Sequence, residues 1–182
     1  GLVMAGYQGW FNAPDDGARR GWYHYTGHDG FKPGSCTIDL WPEVSEYEKL
    51  YKTEFVFEDG SPAYTFSSYD ASTVDTHFRW MEEYGIDGVF MQRFVAEIRN
   101  KSGKKHFSKV LDSAMESANR HSRAICIMYD LSGMNPGDEN VLIADIKELA
   151  ERHSLFDHDS NPSYLYHNGK PLVTVWGVGF DD

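Results

Sequence analysis

The chain is short of the features that mark many protein classes. Its 182 residues hold two cysteines, Cys36 and Cys126, too few and too far apart for a disulfide framework or a zinc-ligand spacing. No apolar run approaches the ~20 residues of a membrane span. Basic residues are outnumbered, 17 Lys and Arg against 28 Asp and Glu, which gives a formal charge of −11. With no basic stripe to neutralise phosphates, neither nucleic acid nor an anionic membrane surface is expected as a partner. A GxSxG elbow, a P-loop, a Cys/His nucleophile context and an HExxH pair are all missing, which disfavours esterase, NTPase, thiol protease and zinc protease chemistry. The opening Gly1-Leu2-Val3-Met4 lacks a signal-peptide pattern, so either one has been removed or the sequence starts late.

What is present is apolar material for one core, 41% of residues, and a large aromatic share, 15%. Four near-continuous apolar runs, Leu2 to Phe11, Ile86 to Phe94, Ala124 to Leu131 and Pro171 to Phe180, have the pattern of strands covered on both faces. Helical spacing lies between them. Val74, Phe78, Met81 and Tyr84 follow a candidate N-cap at Ser72 and precede a stop at Gly85. Phe107, Val110, Leu111, Ala114, Met115 and Ala118 form a second amphipathic stripe. Leu142, Ile143, Ile146, Leu149 and Ala150 form a third, opened by Asp138 and Glu139 and closed near Arg152. His77, His106, His121 and His153 fall on these helices and are expected on solvated faces, as are Glu82, Glu83, Glu148 and Glu151.

Strand and helix alternate, so the fold class is α/β with parallel strands. A doubly wound sheet calls for a glycine-rich phosphate turn after an early strand, whereas here the first strand runs into Trp10-Phe11-Asn12-Ala13-Pro14. A (β/α)8 TIM barrel is therefore expected. Such a domain takes about 250 residues, so residues 1–182 are read as its first half, with about four βα units and the remainder C-terminal to residue 182. Residues 12–70, rich in Gly, Pro and aromatics without a sustained helical period, read as a long first loop with one or two short elements. A loop of that length is usually functional.

In such a barrel, ligands are met at the C-terminal ends of the strands. That rule selects Tyr7, Gln8 and Trp10; Gln92 and Arg93; Tyr129 and Asp130; and Trp176 and Asp181. Arg93 and Asp130 also have a plainer reading, pairing with each other or capping helices at the rim. Of 27 aromatic residues, 18 lie in the first 84 positions, with the densest cluster at Gly21-Trp22-Tyr23-His24-Tyr25. Aromatic rings stacked on the apolar faces of sugars, beside groups that bond hydroxyls, are the physical basis of many carbohydrate sites; ballast for a loop packed on itself is the alternative. His24, His28 and Asp29 could be read as a metal site, but the glycines and threonine around them argue against the helix that would bring both imidazoles to one face. No metal and no cofactor are expected.

The segments Gly6-Tyr7-Gln8-Gly9-Trp10-Phe11 and Tyr84-Gly85-Ile86-Asp87-Gly88-Val89-Phe90-Met91-Gln92-Arg93-Phe94, with the Trp/His-rich loop between them, resemble bacterial relatives of glycoside hydrolase families 71 and 99. The resemblance implies a (β/α)8 barrel and cleavage of O-glycosidic bonds in a polysaccharide or glycan of α-mannan, α-glucan or xylan/arabinan type. It places Tyr7 and Trp10 on the floor of a sugar cleft, Trp22 and His24 in its covering loop, and the family's catalytic carboxylate pair in a later stretch. Within residues 1–182, Asp130 is the expected catalytic-site carboxylate, because it ends a buried strand. A non-catalytic carbohydrate-binding barrel is the alternative function. An aldolase or isomerase would need a Lys or metal-ligand set at the strand ends, which these four ends lack. Because polymeric glycans are met outside the cytoplasm, a secreted, periplasmic or cell-surface location is expected.

Overall fold

A computed structural model describes residues 1–152 and 154–179. Four strands, β1 (Met4–Tyr7), β4 (Gly88–Phe94), β5 (Ala124–Asp130) and β8 (Val173–Trp176), make one sheet, ordered β1-β4-β5-β8 with every neighbouring pair parallel. The spatial order follows the chain order, with none of the reversal that defines a doubly wound sheet. The α/β class and parallel pairing expected from the four apolar runs are present. The outer runs are longer than the strands they contain, because Gly9 turns the chain at φ +60° after β1 and Pro171 belongs to another element.

Helices α1 (Ala71–Tyr84), α2 (Val95–Ile98), α3 (Lys101–His121) and α4 (Glu139–Arg152) complete the layer. Val89 and Met91 of β4 and Ile125 and Ile127 of β5 are buried in one cluster with Val74 and Phe78 of α1, Phe107, Val110 and Leu111 of α3, and Leu149 of α4. Helix α1 starts one residue after Asp70 rather than after Ser72, and Asp70 caps nothing with its side chain. Its carboxylate instead accepts from Lys49 Nζ at 2.9 Å and Tyr51 Oη at 2.6 Å. Gly85 stops α1 in the left-handed region, φ 75°, as expected.

Residues 12–70 are more ordered than a loop. They contain the antiparallel hairpin β2 (Tyr51–Val56) and β3 (Pro62–Thr65), and a second short hairpin, β6 (Tyr166–His167) with β7 (Lys170–Pro171), precedes β8. Two of the helix histidines also depart from expectation. His106 is buried, and His77 is held between two tyrosine hydroxyls, with Tyr7 Oη at 2.7 Å from Nδ1 and Tyr47 Oη at 2.6 Å from Nε2. His121 sits between Asp75 and Glu82, and His153 lies outside the described residues.

A glycine at the start of β4 is required by close approach. A Cβ on Gly88 would lie 2.0 Å from the carbonyl oxygen of Ala124 on β5, a backbone atom that cannot swing aside. Gly88→Ala is therefore expected to cost about 1–3 kcal/mol through forced displacement of the paired strands, read as a lower urea midpoint at unchanged slope.

Candidate functional site

The alternation of the strands divides the expected site residues between two faces. Arg93, one residue beyond Gln92, points into the helix layer. Its Nε and Nη2 donate to Asp145 of α4 at 2.5 and 2.7 Å, and Nη2 reaches Ser108 Oγ at 3.3 Å. Tyr129 shares that side and donates its hydroxyl to the same Asp145 at 2.7 Å. Tyr7 also turns toward the helices, with its hydroxyl against His77 and its ring 6.0 Å from Phe78. A common opening for all the strand tips is thus corrected: Tyr7, Arg93 and Tyr129 are spent on tying helices to the sheet, and neither plainer reading of Arg93 holds.

Gln92 and Asp130 occupy the opposite face. Gln92 Nε2 donates to Asp130 Oδ2 at 3.0 Å, and Ser132 N donates to Oδ1 at 2.9 Å, so the carboxylate is fixed in orientation. Both residues are more than nine-tenths buried, and among the described residues Gln92 Oε1 has no hydrogen-bond partner. The register places Phe94, Asp130 and Trp176 in one row across β4, β5 and β8. Trp10 extends the row, stacked on Phe94 at 5.4 Å, and His24 stacks on Trp10 at 4.2 Å and 14°. Trp176 is half exposed and Gln8 is exposed at the end of β1. Asp181 lies outside the described residues.

The chain from 12 to 30 is fastened over this end of the sheet. His106 of α3 donates from Nε2 to Gly9 O at 2.8 Å and accepts from Asn12 Nδ2 at 3.0 Å, which fixes it as the neutral Nε2–H tautomer. Burial lowers its pKa to about 4, and burial lowers that of His77 to about 4 as well. Burial opposes the charge on Asp16, but hydrogen bonds from Asn12, Ser67, Ala18 N and Ala13 N outweigh it and hold its pKa below the usual value. Asp15, Arg19 and His24 adopt left-handed φ values of 65°, 59° and 60° without being glycine. Such strain costs on the order of 1 kcal/mol per residue and persists only where the surroundings fix the backbone.

Glu97 of α2 supplies a second fastening and was not singled out from the sequence. It accepts from Arg20 Nη2 and from Tyr23 Oη, both at 2.5 Å, while the Arg20 guanidinium lies 3.6 Å from the Tyr23 ring centroid. Burial, then the bond to Glu97, raises the Tyr23 pKa, and burial lowers that of His24. Gly103 lets the start of α3 close on the α2 backbone at this residue, since a Cβ there would lie 2.3 Å from the Glu97 carbonyl oxygen. The only hint in the sequence was the position of Glu97, three residues past the end of an apolar strand. His28 is exposed and paired with the adjacent Asp29 at 3.0 Å, apart from the stacked His24. Among the described residues no group of three or more His, Cys, Asp or Glu is placed to hold a metal ion, and no helix is long and apolar enough to cross a membrane.

No family model and no curated protein matches the chain. Its fold is similar to two solved structures of the GH99 endo-α-mannosidase from Bacteroides thetaiotaomicron. One, in complex with bis-tris-propane, has a TM-score of 0.57 at 14% identity, over 96% of this chain and 41% of that one. The other has a TM-score of 0.55 at 13% identity, over 94% and 44%. At that identity the likeness is one of fold, and the chain spans less than half the length of either structure.

Proposed function

We propose that residues 1–182 form the first four strand–helix units of a carbohydrate-active (β/α)8 domain, and that its substrate is a polysaccharide or glycan cleaved at an O-glycosidic bond. The observation that carries this reading is the row Trp10, Phe94, Asp130, Trp176, with an oriented carboxylate between aromatic rings at the C-terminal ends of parallel strands. Rings bury the apolar face of a sugar while Asp130 and Gln92 bond its hydroxyls. The fold likeness to an endo-α-mannosidase supports the same substrate class. A secreted, periplasmic or cell-surface location belongs to the same reading, because such glycans are met outside the cytoplasm.

Glycoside hydrolysis needs two carboxylates about 5–10 Å apart, and Asp130 is the only carboxylate carried by the four sheet strands. Its role is to bind substrate hydroxyls or orient an acid supplied from elsewhere in the domain. The same fact favours a second reading, a barrel that binds carbohydrate without cleaving it.

Released reducing ends from α-mannans, α-glucans and arabinoxylans decide between the two. The intact protein is expected to release ends from one of them, and Asp130→Asn to lower turnover about tenfold or more through loss of a charge-assisted hydrogen bond. Binding without release selects the second reading. Unchanged turnover in Asp130→Asn removes Asp130 from the site.

A further inference from the structure

We infer that the aromatic segment carries an extended groove for a neutral glycan chain several sugars long, with Trp22 as its midpoint; this rests on the carbohydrate reading above. Two recesses meet at this indole. One, of about 450 Å³, is bounded by Arg20, Tyr23, His24, Thr26 and Thr37 together with Trp22. The other, of about 490 Å³, has Trp22, Pro14 and Leu50 on its apolar side and Asp15, Lys52 and Glu54 at its rim. Trp22 is therefore the wall common to both.

The first recess begins at His24, which stacks on Trp10, and Trp10 stacks on Phe94 in the row that contains Asp130. The proposed course runs from the strand ends past His24, across Trp22, the residue shared by the two recesses, and along β2. The consecutive residues 50–54 border its far end, so that wall is a strand and not a collection of loop tips.

The chemistry of the lining selects the ligand. The indole of Trp22 packs only by edge and tilt on Tyr25 at 6.0 Å and Phe31 at 5.0 Å, and among the described residues its Nε1 has no hydrogen-bond partner. An aromatic surface with a free N–H, flanked by charged rims and by the Thr26 and Thr37 hydroxyls, which donate to the Trp22 and His24 carbonyls and so offer acceptors, suits sugar rings with their hydroxyls at the edge. Charge at the rims is mixed, Asp15 and Glu54 against Lys52, and Arg20 is already paired with Glu97, so the groove has no excess of positive charge to attract a polyanion. The strain at Asp15 and His24, one in each recess, is where a preformed binding wall stores it.

Binding of mannan, α-glucan and arabinoxylan oligosaccharides of two to six units, followed by calorimetry, tests the groove. For the series that binds, affinity is expected to rise with length by about tenfold, and Trp22→Ala to lose most of that gain, the scale of one buried aromatic contact. A six-unit chain that binds Trp22→Ala as tightly as the unaltered protein overturns the groove and leaves the strand-end reading standing. No binding of any oligosaccharide by the unaltered protein overturns the carbohydrate reading and the groove with it. Because Trp22 also packs on Phe31, the exposed pair Lys52→Ala with Glu54→Ala is measured alongside: these rim changes are expected to weaken the six-unit chain about threefold, and an unchanged affinity counts against the groove even if Trp22→Ala does not fold.

Discussion

Asp145→Ala is expected to destabilise the fold by about 3–5 kcal/mol, since it leaves the Arg93 guanidinium buried without its counter-charge. Both side chains are 2% exposed, so water cannot replace the lost carboxylate. One carboxylate takes two guanidinium bonds and the hydroxyl of Tyr129, and so joins β4, β5 and α4 at one point. Among the described residues Arg93 Nη1 already lacks a partner, so none of them supplies a spare acceptor at the site. Urea unfolding measures the loss. Arg93→Met combined with Asp145→Leu is expected to recover much of it, because removing both charges also removes the cost of burying them. A single variant as stable as the original would mean that the pair contributes nothing to holding α4 on the sheet.

Acid is expected to weaken the protein well above the range in which carboxylates titrate. His77 and His106, each lowered to about 4 from an ordinary 6.5, are neutral when folded and take up protons when the chain unfolds. The unfolded state therefore binds more protons between pH 6.5 and 4, and stability falls as pH falls through that window, by about 2–3 kcal/mol for each histidine at its lower end. The lowered pKa of Asp16 adds a further loss below that range, as its charge is removed. Urea midpoints from pH 7.5 to 4 would show the slope, and His106→Gln should flatten it by about half, since one of the two proton sinks is gone. A flat profile in the unaltered protein would show that neither imidazole is excluded from solvent protons.

Much of this was legible in the sequence, and the failures have identifiable causes. The strands were found because runs such as Val89-Phe90-Met91 are apolar on both faces. That same continuity hid which face each residue takes. Period two counted from Val89 and Met91 puts Arg93 on their side, yet the strand-end rule treated Gln92 and Arg93 alike. His77 lies four residues before Met81 and three after Val74, and His106 four before Val110, so both sit on the apolar stripes of their helices. Asp145 falls three after Leu142 and four before Leu149. A polar residue on a buried stripe signals a partner, but which partner depends on long-range pairing that no local pattern contains. The β2–β3 hairpin was not resolved within residues 12–70 beyond one or two short elements, although the alternation of Tyr51, Thr53 and Phe55 and the Asp59-Gly60 turn carry its signal. The Glu97 clamp was not legible, because Arg20 and Tyr23 lie more than 70 positions away.

The segment from residue 12 to 70 is tied to α3 through His106, to α1 through Tyr47 and His77, and to α2 through Glu97. It is a casting more than a flap. A guest meeting these walls finds their shape already set, so little ordering entropy is left to lose on contact.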